Sequence, residues 1–111
     1  MVPESVLEDL RSKHKRVAVV PYGIDGVDVV IRAPTRGEYR SWRANREKPE
    51  AQEDAIRQCL VYCNGVMGSW AEIATRFDEL LDTYPALGDS KAAALHWSKF
   101  VGLTASETGK E

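Results

Sequence analysis

Apolar positions along this chain alternate between a helical and an extended period, and each change of period marks an element. Residues 4–13 place Val6, Leu7 and Leu10 on one side of a short helix. In the next segment residues 16–22 and 27–32 read as two strands around a turn at Asp25-Gly26. Within the second strand Val27, Val29 and Ile31 face one way and Asp28 and Arg32 the other, the alternation of a half-buried hairpin. Pro21 assigns the first strand to a sheet edge, because proline has no ladder hydrogen bond to donate. A lone two-stranded ribbon is marginal in water. This one must therefore lie on helices or gain strands from another chain.

Past Pro34 the period returns to helical. Thr35 followed by Glu38 forms a capping-box pattern, and the helix it opens is expected to run to about residue 48. Tyr39 and Trp42 fall on one stripe and Arg36, Arg40 and Arg43 on its neighbour, so the aromatics can turn inward while the arginines meet water. A second helix is expected over 50–63, with Ala55, Ile56, Cys59, Leu60, Tyr62 and Cys63 as its apolar side and Asn64-Gly65 as its end. Ser69 and Glu72 make another capping box. Behind it Trp70, Ile73, Ala74, Phe77, Leu80, Leu81 and Tyr84 trace a single helical face. A last helix is expected between about residues 85 and 102, with Ala93, Trp97, Phe100 and Val101 inward and Lys91, Ser98 and Lys99 outward. Residues 103–111 read as a polar tail. The expected fold class is α+β: an N-terminal β-hairpin followed by three or four packed α-helices, in one domain over 1–102.

Composition changes this picture little and charge changes it more. A chain of 111 residues with 43% apolar content can bury a core, and no apolar run reaches the length of a membrane span. The segment after Met1 has neither the basic start nor the continuous apolar stretch of a signal peptide, so the cytoplasm is the expected location. The net charge of −2 hides an asymmetry: residues 1–48 hold ten Lys/Arg and seven Asp/Glu, whereas residues 49–111 hold five and ten. The halves attract, within one chain or between copies. That polarity suits self-association or an acidic partner.

Sites of chemistry are sparse. None of the common nucleophile, phosphate-loop or metalloprotease motifs occurs, so no catalytic residue, cofactor or metal is assigned and the chain is read as a non-enzyme. Cys59 and Cys63 would share a helix face, but a metal would need further ligands, and His14 and His96 lie far apart in the sequence. They read as buried, reduced thiols. Asp78, Glu79 and Asp82 read as a solvated acidic face opposite the apolar one rather than as a metal site, and the repulsion between Asp78 and Asp82 would tolerate a cationic partner. Arg36, Arg40 and Arg43 invite three readings. They could grip phosphates beside Trp42, they could form a simply solvated face, or they could serve a protein interface, where arginine is enriched over lysine.

The strand ending "VVIRAPTRGEY", the "CLVYC" segment, the helix closing on "YPAL" and a final helix ending in glycine, taken in that order, resemble the tail assembly chaperones of long-tailed bacteriophages. The resemblance covers about residues 16–102. Cys63-Asn64 departs from it, because relatives more often carry proline after "VY", and the "GVMGSW" connection differs locally. The resemblance implies a protein of the host cytoplasm, absent from the mature virion, that coats the tape measure protein, keeps its apolar helices soluble and helps recruit the tail tube protein. It implies stoichiometric binding and self-association without a cofactor. On this reading Arg36, Arg40 and Arg43 are one partner-binding surface and Asp78, Glu79 and Asp82 another, meeting between copies. The edge at residues 17–20 is free to pair with a neighbour. The alternatives are a small nucleic-acid-binding regulator using the basic helix, or another minor phage tail structural protein.

Overall fold

A computed structural model describes residues 2–87 other than 15, 21, 46 and 49. Helix α1 (Glu4–Lys13) leads into strand β1 (Val17–Val19), which pairs antiparallel with β2 (Val29–Arg32). Helices α2 (Arg36–Asn45) and α3 (Ala51–Gln58) follow. Strand β3 (Leu60–Cys63) then returns to β2, and α4 (Trp70–Thr83) ends in a 3-10 turn at Pro85–Leu87. The class is α+β, with a three-stranded antiparallel sheet in the order β1-β2-β3. The expected edge position of the first strand holds. Pro21, the residue that suggested it, lies outside the described residues, as do the rest of the expected last helix beyond Leu87 and the tail.

The expected helix over 50–63 is corrected: it stops at Gln58, and Leu60–Cys63 is a strand. All four of its residues are buried. A surface helix could hide only part of so continuous an apolar run, whereas a strand between two layers hides all of it. Asn64 and Gly65, with φ of 44° and 91°, make the two-residue hairpin turn after it. Cys63 and Val66 exchange backbone hydrogen bonds of 3.0 and 2.9 Å across that turn. Asn64 also ties this corner to the first hairpin. Its Oδ1 accepts from the Asp28 N–H at 2.7 Å, and its Nδ2 donates to the Gly26 carbonyl at 2.9 Å.

The sheet is covered on both faces, so the half-buried ribbon of the sequence reading is also corrected: Val29, Val30 and Ile31 are each fully enclosed. Val30, Val61 and Tyr62 pack with Val2 and Leu10 on the α1 side. Val29, Ile31, Leu60 and Cys63 pack on the other side with Ile56 of α3 and Ile73 and Phe77 of α4. Two successive β3 residues, Val61 and Tyr62, face the same layer because the register slips between Val30 and Ile31. A bulge adds a residue to one strand and breaks its strict alternation.

Capping chemistry sets the helix starts. Glu38 N–H donates to Thr35 Oγ1 at 3.2 Å, and Thr35 N–H donates back to Glu38 Oε1 at 2.8 Å, the full reciprocal box. At α4 only half of the pattern forms: Glu72 N–H donates to Ser69 Oγ, whose hydroxyl meets the Glu72 carboxylate. The apolar stripe of α4 buries its middle, Ile73, Ala74 and Phe77, while Trp70 and Tyr84 at its ends remain 50% and 37% exposed. Fourteen helical residues span about 21 Å and a four-residue strand about 13 Å, so the helix overhangs the strand it packs on.

Candidate functional site

The surface arginines of α2 stand where the spacing placed them. Tyr39 and Trp42 are half-buried against the α3/α4 side of the core, with ring centroids 6.2 Å apart and planes tilted by 33°. This packing holds the helix so that Arg36, Arg40 and Arg43, on the neighbouring stripe, are all exposed. Among the described residues none of the three forms an ion pair. The result is a ladder of cations one helical turn apart, on a rigid support.

The acidic cluster is not left open in the same way. Asp78 pairs with Arg57 of α3, which also holds Glu53 at 3.1 Å and reaches Asp54 at 3.7 Å. The Arg57 guanidinium lies 6.0 Å from the centre of the Phe77 ring, and the Arg57 carbonyl accepts a 2.9 Å hydrogen bond from Trp70 Nε1. Arg57 thus clamps α3 to α4 by charge, by ring contact and through its backbone. Its partners at i−4 and i−3 were readable from spacing; Asp78, 21 residues further on, was not. Glu79 makes only a 3.9 Å contact with Arg76 on its own helix, and Asp82 is exposed. So the six residues singled out from sequence fall into two groups. Five face solvent with little or no pairing, and Asp78 is committed within the chain.

A second polar constellation lies at the corner between β2 and α2. Arg32 donates to both Glu38 carboxylate oxygens at 2.8 Å, and to the carbonyls of Gln58 at 3.0 Å and Ala33 at 3.1 Å. The Arg32 hydrogen bond holds the Glu38 carboxyl below its usual range, more than burial raises it, with Thr35 assisting. This is a structural staple joining β2, α2 and the end of α3. Cys59 and Cys63 do not share a helix face: Cys59 caps α3 and Cys63 sits in β3, both buried and unoxidised. Burial pushes the Cys63 thiol up to about 12. No group of three His, Cys, Asp or Glu side chains among the described residues is gathered to hold a metal ion, and no helix there is long and apolar enough to cross a membrane. Compared with protein-family models, with curated proteins and with solved structures, the chain matches none of them.

Proposed function

We propose that this chain is an assembly chaperone of the long-tailed bacteriophage type. It binds the tape measure protein in the host cytoplasm, keeps that protein's apolar helices soluble and helps recruit tail tube subunits. The observation that carries the reading is the arginine ladder of α2: three exposed guanidinium groups without ion-pair partners among the described residues, on a chain of net charge −2. Arginine is favoured at protein interfaces because its planar fork makes directed bonds while its stem covers apolar surface. Copies arrayed along a partner need a mutual contact. The ladder supplies one side of it, with Glu79 and Asp82 as the acidic side and Asp78 left to Arg57. The edge of β1 supports the same reading. The Val20 N–H donates to the Val29 carbonyl and the Arg16 carbonyl accepts from the Ala33 N–H. The backbone groups of Val17 and Val19 therefore lie along the outer edge, and the Val19 side chain is exposed.

Co-expression with a tape measure fragment tests the proposal. The expected result is a soluble complex of several copies per fragment, and a fragment that stays insoluble and unbound overturns it. Filter binding to duplex DNA at varied salt covers the regulator reading, since three phosphate contacts would give a clear salt slope. The expected result is weak retention.

A further inference from the structure

The outer edge of β3 opens into a cleft of about 410 Å³ between the end of α1 and the start of α4. Its apolar wall is Leu10, Met67 and Trp70, and its polar wall is Lys13, His14 and Arg32. A second depression of about 550 Å³ adjoins it, sharing His14 and Arg32 and adding Arg16. Together they form a trough whose volume lies in the range of sites that enclose ligands.

Charge and rigidity bear on what fills it. Among the described residues no aspartate or glutamate lines either depression. Lys13 and Arg32 have carboxylate partners, Asp9 at 3.1 Å and Glu38 at 2.8 Å, but these lie outside the lining. The lining carries the formal positive charges of Lys13, Arg16 and Arg32, and besides burial Arg32 and Lys13 both lower the proton affinity of His14. Trp70 is half-exposed, yet its ring is pinned by the bond from Nε1 to the Arg57 carbonyl. A large aromatic surface held in one orientation loses little entropy when a partner covers it.

We infer that this trough docks a partner polypeptide whose contact segment carries both aliphatic side chains and carboxylates. The aliphatic groups seat on Met67 and Trp70 above the buried Leu10. The carboxylates face Lys13 and His14 in the field of Arg32, whose own N–H groups are held by Glu38 and the Ala33 and Gln58 carbonyls. The inference rests on the chaperone reading for its biological setting and names the surface that receives the client. An uncharged apolar segment would take water from Lys13 and Arg32 without offering a further acceptor, and a basic one would be repelled.

The probe is a labelled synthetic 14-residue peptide of leucine and glutamate at helical spacing, titrated with the full chain by fluorescence anisotropy. A matched peptide with lysine in place of glutamate is run alongside. Binding of the acidic peptide at least tenfold tighter than the basic one is expected. Met67→Glu and Lys13→Gln should each weaken it several-fold, and Arg11→Gln, which removes a charge from α1 away from the trough, should not. Equal binding of the two peptides overturns the inference, as does wild-type affinity in both trough variants. Melting curves of each variant confirm that lost binding is not lost folding, and Lys13→Gln, at an exposed site, is the variant expected to fold in any case. If Met67→Glu still solubilises a tape measure fragment, the trough is wrong and the chaperone reading stands. If the acidic peptide binds in the trough but no tape measure fragment does, the reverse holds.

Discussion

Arg32 and Glu38 meet fork to fork, each Glu38 oxygen receiving a guanidinium N–H at 2.8 Å, while the same carboxylate caps α2 through Thr35 N–H. One side chain therefore fixes where a helix begins and how it is tied to the sheet. The pair is only partly buried, with side-chain exposures of 25% and 21%, so its strength is moderated by water.

The Glu38 carboxyl titrates below its usual range in the folded chain, so its contribution to stability is fully present above the unfolded pKa and is lost as pH falls through the folded one. Glu38→Gln keeps an acceptor for the Thr35 amide and removes the charge. It should cost about 1–2 kcal/mol at pH 7 and less at pH 3, below the unfolded carboxylate range. Urea melts of both proteins at the two pH values check this, and equal losses at both would contradict it.

Asn64→Ala should destabilise more than Asn64→Gly. Both lose the side-chain bonds to Asp28 and Gly26, but only alanine adds strain at a φ of 44°. Losses of roughly 2–3 and 1–2 kcal/mol are expected by chemical denaturation.

Charge reversal of Arg36, Arg40 and Arg43 to glutamate should each change stability by no more than about 0.5 kcal/mol, because all three are exposed. Together they should reduce particle size in light scattering. Unchanged size would remove the ladder from the self-contact. Asp78→Lys behaves differently: it breaks the Arg57 clamp and should cost about 1 kcal/mol, whereas Asp82→Lys should not.

Native Cys59 and Cys63 should resist a thiol reagent at pH 8, since both are enclosed and the Cys63 thiol is pushed up to about 12. Labelling should follow the unfolding transition in urea. Rapid labelling of the native chain would show that the sheet opens locally.

Much of the fold was legible. The capping box at Thr35 and Glu38, the inward Tyr39 and Trp42, the hairpin and the core face of α4 all follow from spacing, because caps and amphipathic faces are local properties. The segment Leu60–Cys63 is not legible as a strand from its pattern, since a short apolar run has no period of its own. Asn64-Gly65 after a β-branched and aromatic stretch is the local signal for a strand and hairpin turn, although the same pair also suits a helix end.

Sequence by itself determined which side of each helix is apolar, where α2 and α4 begin and that arginines line one exposed stripe, for each of these depends on residues within a turn or two of one another. Tertiary structure decided that the sheet has a third strand and two covered faces, that Asp78 belongs to Arg57, and that Lys13, His14, Met67 and Trp70 border one trough. Those relationships join residues tens of positions apart. They exist only once burial of the strands between α1 and α4 has brought the distant segments together.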